Sequence, residues 1–359
     1  MFENLKQKKQ DLQDTANMVI DCQNGVISSI LQQMPYVLVF KTTHWCWNNC
    51  AHCCESAGSS MPKNFIPEQV INGYVDQAVQ DKNFSREIVF TGGEITSAYK
   101  FAGEDYISNI INHALNAKCS VDIKTNAGWV NSPLAATIYS DLDNIVRDQS
   151  KNSDDNIKKI IHFQVSLSLD SFHKDALMRD FKFLEHFANT DTSGVTFTVN
   201  VSSVKQDKNM FYELLDKLID SGINVDELFM TDSAGNFVKK MYALNGNVVI
   251  FNSNGTLFNG GRAKDIKYAF KTPFPQFTFL TPDHKSLVAF DSFGNVTLGE
   301  NSGKKISVPW RDQENGQALS LETICSDIVV ATKTAEQDFL KQHRYLNAYI
   351  NWLRRQVVK

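Results

Sequence analysis

Thr43–Gly58 reads THWCWNNCAHCCESAG, and this short stretch holds four of the chain's seven cysteines. Cys46, Cys50 and Cys53 follow a C-x3-C-x2-C spacing. Thiolates are soft ligands that favour zinc, Cu(I) or iron–sulfur clusters. A structural zinc site wants four closed ligands, usually as two separated pairs, whereas this loop carries one tight triplet and the chain has no second CxxC. A [4Fe–4S] cluster has four irons, each wanting an outer ligand. Three thiolates on one loop therefore leave one iron open to a substrate or cofactor.

Outward from this loop, strand and helix patterns alternate. YVLVFKT (Tyr36–Thr42) is a short β-prone run just before the cysteines, and Pro67–Asp81 has helical spacing with its proline in the first turn. EIVFTGGE (Glu87–Glu94) is a strand ending in a double glycine. Helix, strand and helix follow at Glu104–Lys118, Cys119–Gly128 and Asn131–Val146. Ile160–Ser171 is a strand, His173–Asn189 a helix and Val195–Val204 a strand. Asn209–Gly222 is a helix, and Asp226–Asp232 is the sixth strand. Six strands alternating with helices predict parallel β/α units. Beyond residue 240 Gly, Asn and Phe become frequent, and a final helix is expected over Thr334–Val358. The expected division is a helical lead-in over 1–34, a β/α domain over 35–240 and an extension over 241–359.

The net charge of −4 is mild and shows no basic face, which argues against a nucleic-acid partner. The polar start MFENLKQKKQDLQD lacks an apolar signal core, and no run of about 18 apolar residues occurs, so neither secretion nor a membrane span is expected. With an odd cysteine count and no signal peptide, the thiols point to metal or redox chemistry in the cytoplasm rather than to a disulfide framework.

CWNNCAHC after a first strand, with TGGE closing a second, resembles the radical S-adenosylmethionine (SAM) superfamily. KTNAG and SLSLDS add to the resemblance, which covers roughly Tyr36–Asp232. It implies a partial (β/α)6 TIM-like barrel with a small α+β C-terminal extension. It also implies one [4Fe–4S] cluster on Cys46, Cys50 and Cys53, with SAM chelating the open iron. Reductive cleavage of SAM would give a 5′-deoxyadenosyl radical that removes a hydrogen atom from the substrate. Gly92, Gly93 and Glu94 would hold the SAM amino group. Ser168 would make a polar contact with SAM and Asp170 one with ribose or substrate. Arg179 suits the SAM carboxylate, the alternative being a surface ion pair, and Asn200 suits the ribose hydroxyls. Thr125 and Asn126 would sit at the barrel mouth. His52 stands where the family commonly has an adenine-packing aromatic, and it could stack or titrate. Cys54 is expected as a buried or supporting thiol rather than a ligand, Trp45 and Trp47 as a screen or as ordinary packing, and His173 as a helix-start residue.

Ala289–Lys305 and Ser320–Ile324 resemble the hairpin and short helix of the SPASM/twitch extension, but Leu298 and Gly299 stand where a cysteine is expected. Only Cys325 remains in that region, which implies a degenerate extension without an auxiliary cluster, packed by residues such as Phe290, Phe293 and Val296. NGGRAKD (Asn259–Asp265) resembles the preceding segment, with Arg262 able to reach an anion. The expected substrate is a peptide or natural product undergoing cross-linking, epimerisation or rearrangement, and the electron donor a flavodoxin or ferredoxin. A small-metabolite enzyme, a non-catalytic Fe–S/SAM sensor and a zinc protein are the alternatives.

Overall fold

The computed structural model describes residues 17, 19–24, 35–53, 55–152, 162–192, 196–204, 207–233, 236–255, 286–298 and 306–357. Cys54, Asn259–Asp265 with Arg262, and most of 1–34 lie outside the described residues.

β1 (Tyr36–Lys41) is buried along its whole length, as expected of a strand covered on both faces. α1 (Glu68–Gln80) buries Ile71, Tyr74, Val75 and Ala78, an i, i+3, i+4, i+7 stripe. Then come β2 (Phe84–Thr91), the short α2 (Ala98–Phe101), α3 (Tyr106–Asn116), β3 (Ser120–Thr125), α4 (Ala135–Asn152) and β4 (His162–Ser168). α5 (Ala176–Asn189), β5 (Thr196–Val204) and α6 (Lys208–Asp220) complete the alternating run. β1 to β5 pair in order, all parallel.

The sixth parallel position departs from expectation. β6 (Val225–Ser233), expected there, pairs among the described residues with β7 alone (Asn236–Leu244), which it meets antiparallel at the sheet edge. β7 turns into β8 (Asn247–Gly255), and β8 is the strand lying parallel beside β5, with Val199 opposite Val249. The cause is a two-residue Asn245–Gly246 connection with φ of 49° and 94°, the geometry that Asn-Gly favours in tight hairpins. β7 thereby crosses residue 240.

The C-terminal strands join the same sheet. β9 (Ser286–Asp291) runs parallel to β1 on its other side, and β10 (Asn295–Leu298) and β11 (Ser307–Pro309) follow antiparallel. The result is a mixed α/β protein whose described residues form an eleven-stranded, mostly parallel sheet. Phe40 packs on Phe90 and Phe290 at 5.8 and 5.3 Å between centroids, and Tyr74 on Phe290 at 4.5 Å. Phe290 and Val296 are buried as expected, but Phe293 is 47% exposed. It sits in the β9–β10 turn and leans on His44 (4.5 Å) rather than into the core. The expected final helix is two: α7 (Leu321–Gln342), capped by Ser320 accepting from the Thr323 N–H, and α8 (Arg344–Val357), broken at His343. Phe339 and Ile350 bury against the main core. Among the described residues, no helix is long and apolar enough to cross a membrane.

One face of the sheet is apolar at β1 and β9, where Val37, Val39 and Ala289 cluster with Val89 and Leu287. Further along, the same face turns polar. Asp122 accepts from Ser166 Oγ at 2.7 Å, and Asn200 Nδ2 donates to Ser166 and Ser202 at 3.3 and 3.2 Å. That polar row leads to the carboxyl ends of the strands.

Candidate functional site

The cysteine loop leaves β1 through Thr42, Thr43 and His44, all buried. Its first residues are stitched to the end of β2: Gly93 N–H donates to Thr43 O (2.7 Å) and Glu94 N–H to Trp45 O (2.9 Å). The loop's far end is tied in by Gly58 N–H to His44 O and Cys46 N–H to Gly58 O, both 3.3 Å. This contact explains the double glycine. A Cβ on Gly92 would lie 2.3 Å from Thr43 O, and one on Gly93 would lie 2.2 Å from Trp45 O; Gly92 also has φ of +131°. The close approach that these glycines permit is therefore to the cysteine loop's own backbone.

Glu94 is 1% exposed. Its Oε1 accepts from Thr96 N–H (3.2 Å), Thr96 Oγ1 (2.7 Å) and Thr125 Oγ1 (2.8 Å), and its Oε2 accepts from Asn126 N–H (2.9 Å). One carboxylate thus fastens the end of β2 to the end of β3. Asn126 carries the connection onward: its Nδ2 donates to Cys46 Sγ at 3.3 Å, and its carbonyl accepts from Arg179 Nη1 at 2.5 Å. Arg179 is buried on α5, and its Nε and Nη2 have no hydrogen-bond partner among the described residues.

Cys46 is buried, while Cys50 and Cys53 are half-buried and linked by a Cys53 N–H to Cys50 O bond of 3.2 Å. Burial, reinforced by the Glu94 charge, pushes the Cys46 thiol up to about 12. Such a thiol is a poor free nucleophile, and it would lose its proton to a bound metal. Asn48 N–H points at the same sulfur from 3.4 Å.

On the other side of the loop, Asp170 follows β4. Its Oδ1 accepts from the Phe172 and His173 N–H groups at 3.0 and 3.2 Å, and His173 Nδ1 lies 3.0 Å from each carboxylate oxygen. His52 Nε2 stands 3.7 Å from Oδ2, and its ring lies 4.7 Å from Phe172 and 4.8 Å from His173. Burial pulls His173 down, but hydrogen bonds to Asp170 and Cys50 prevail and raise it to about 9. Burial opposes ionisation of Asp170 as well, yet His173 and His52 hold it below the usual carboxylate value.

These elements surround a cavity of about 250 Å³. The three cysteines line it, with His52, Gly92, Gly93 and Ser168 of the sequence-predicted set. Thr125, Asn126 and His173 line it too, whereas Glu94, Arg179 and Asn200 are not among its lining residues. Sequence reasoning passed over Lys41, Glu55, Thr91 and Lys124, which also line it. Lys41 Nζ pairs with Glu55 Oε1 at 2.7 Å, with both side chains under 10% exposed. The available signal was a lysine closing the otherwise apolar YVLVFK. His44, 3.8 Å from Glu55 Oε2 and 3.2 Å from Ser292 Oγ, links the loop to the β9–β10 turn.

The donor set suits a multi-iron cluster better than one zinc ion. Among the described residues, the group of three such side chains gathered closely enough for one ion is His52, Asp170 and His173, not the three thiols. A cubane places each thiolate on a different iron, so its ligand sulfurs need not converge on one point.

No family model matches the chain, and no curated protein does. Among solved structures it is similar to SuiB of Streptococcus suis bound to S-adenosylmethionine, at 16% identity and a TM-score of 0.42, over 73% of this chain and 60% of that one. Native anSMEcpe with bound AdoMet and Kp18Cys peptide aligns at 13% identity and a TM-score of 0.41, over 86% and 83% of the two chains. Native anSMEcpe with bound AdoMet gives 13% and 0.40, over 87% and 100%. The chain thus spans 60% of SuiB's length. With all three TM-scores below 0.5, functional assignment rests on the site's own residues.

Proposed function

We propose that the chain is a radical SAM enzyme in which Cys46, Cys50 and Cys53 hold one [4Fe–4S] cluster. The observation that carries this is that all three thiols open into the cavity lined by Gly92, Gly93, Ser168 and His52, at the carboxyl ends of parallel strands, where ligands of such sheets bind. Bound cluster and SAM would supply a 5′-deoxyadenosyl radical able to take a hydrogen atom from an unactivated carbon, and the protein supplies orientation and exclusion of water. Asn126 and Asn48 each direct an N–H at the Cys46 sulfur. Glu94 holds Asn126 from behind, and Gly92 and Gly93 offer backbone to the SAM amino group. Arg179's two spare donors support its role toward the SAM carboxylate, for which its planar fork is suited. Ser168 and His52 face the nucleoside end, and Asn200 serves the ribose side from the neighbouring strand.

The parallel strands form the partial barrel, and residues 241–359 carry no further cluster. The substrate is a peptide or natural product, and a flavodoxin or ferredoxin delivers the electron. Support for that substrate class is the hairpin-then-helix order of β9, β10 and α7, which the resemblance to the SPASM/twitch extension implies. The test is anaerobic reconstitution with iron and sulfide, then iron counting and assay of 5′-deoxyadenosine under reducing conditions with SAM. About four irons per chain and 5′-deoxyadenosine are expected. Stoichiometric zinc with no iron uptake, or a cluster that never cleaves SAM, overturns the proposal.

A further inference from the structure

His52 comes from the cysteine loop, Asp170 and His173 from the stretch between β4 and α5, and the fold brings the three together. One ligand atom from each lies within 4.8 Å of the other two. His173 Nδ1 is 3.0 Å from Asp170 Oδ2, and His52 Nε2 is 3.7 Å from the same oxygen. Tetrahedral ligands at the usual zinc distances stand about 3.4 Å apart, and these two separations bracket that value. None of the three side chains is more than 15% exposed, so an ion there would exchange most of its hydration for protein ligands. Asp170 Oδ1 accepts from the Phe172 and His173 N–H groups at 3.0 and 3.2 Å. Outer partners of this kind orient a ligating carboxylate, and here they leave Oδ2 as the oxygen nearest both imidazoles.

We infer that His52, Asp170 and His173 form a mononuclear site for a divalent ion of the zinc class, whose open position takes an oxygen donor of the substrate, a carboxylate or a hydroxyl. Imidazole and carboxylate suit such an ion. Three protein ligands are the number found in catalytic sites, where the fourth position stays open. His52 and His173 line the cavity and Asp170 does not, so the carboxylate backs the site and the open position faces the cavity. The site is separate from the cluster, because its ligands are nitrogen and oxygen, and the three thiols do not gather around one point as these groups do. Zinc has no redox chemistry, so the ion would hold and orient the substrate without exchanging electrons. The ion site itself does not rest on the cluster reading; the use of its open position by a substrate of the radical reaction does.

The experiment is an anaerobic Co2+ titration of the full chain with Cys46, Cys50 and Cys53 replaced by alanine, read by visible d–d absorption and by metal content. One Co2+ per chain is expected, with no thiolate-to-metal charge-transfer band. The unmodified chain, reconstituted and then supplied with Zn2+, should hold one zinc beside about four irons. His52→Gln, Asp170→Asn and His173→Gln, each added to the cysteine-free chain, should weaken Co2+ binding by more than the roughly 10–100-fold that loss of an outer partner costs. His113→Gln, which breaks the exposed pair with Asp76, should leave it unchanged. If the cysteine-free chain does not fold, the same substitutions in the reconstituted chain decide, read by zinc content. No bound Co2+ in a folded cysteine-free chain, or binding that the three substitutions leave intact, overturns the inference. Co2+ bound by the cysteine-free chain while the unmodified chain takes up no iron sustains the ion site and overturns the cluster.

Discussion

Two neighbouring strands of the sheet end side by side, and the chain leaves them in opposite ways. Lys41 at the end of β1 is in register with Asp291 at the end of β9. After β9 the turn is local: Asp291 Oδ1 accepts from the Phe293 and Asn295 N–H groups, both at 2.9 Å, and Gly294 supplies φ of +98°. After β1 the cysteine loop is held by distant residues. Glu94 reaches Thr125 and Asn126, Asn126 reaches Cys46, and Arg179 reaches Asn126. Loop conformation can be stored in five consecutive residues, Asp291 to Asn295, or assembled from three strand ends and a helix, and of these two loops the assembled one lines the cavity.

The largest expected effect tests the assembled loop directly. Alanine at Cys46, Cys50 or Cys53 should abolish the visible absorbance of the reconstituted cluster and all SAM cleavage. Cys54→Ala should keep both, and its loss of cluster would break the ligand assignment. A close second is Glu94→Ala, which strands four buried donor contacts on three residues. At roughly 1.5–3 kcal/mol per hydrogen bond to a charged group, with losses that are not additive, urea denaturation of the metal-free chain should show a loss of about 3 kcal/mol or more. A loss under about 1 kcal/mol would mean that the strand ends do not depend on this carboxylate.

Asp180 extends the comparison to the helix behind the loop. It is fully buried, both its oxygens lack a hydrogen-bond partner among the described residues, and burial pushes its carboxyl up to about 7 against the pull of Arg179. The folded value lies above the unfolded one, so the folded chain keeps a proton that the unfolded chain releases. Stability should fall as pH rises from about 4 to about 7, by about 1.4 kcal/mol per pH unit for one proton, and level off above. Asp180→Asn should remove that slope, measured as denaturation midpoints across the range. Smallest of all is Gly294→Ala, where a side chain at positive φ should cost on the order of 1 kcal/mol and leave iron content unchanged. A loss of iron there would couple the two turns through Ser292 and His44.

Much of this was legible in the residues, because the physics involved acts over a few positions. The alternation of elements from β1 to α6 follows from periodicity and from turn residues, as does the β9–β10 hairpin. The Asn245–Gly246 turn was equally local, and overlooking it placed β6 where β8 belongs. Phe293 shows the limit: its apolar ring suggested core, but the turn that holds it leaves it against His44 at the rim.

By itself, then, the sequence determined the thiol spacing, the double glycine that lets two strand ends touch, and the composition that leaves Cys22, Cys119 and Cys325 isolated. Tertiary structure alone decided that Glu94 binds protein donors, that Lys41 pairs with Glu55, and that Asp170 holds the His173 ring and stands beside His52. It also decided that Arg179 meets the Asn126 carbonyl and that the C-terminal strands extend the sheet beside β1. The physical reason is range. A spacing or a turn is fixed by the covalent geometry of adjacent residues, whereas a buried carboxylate takes whichever donors the folded chain brings to it, here from residues up to 32 positions away.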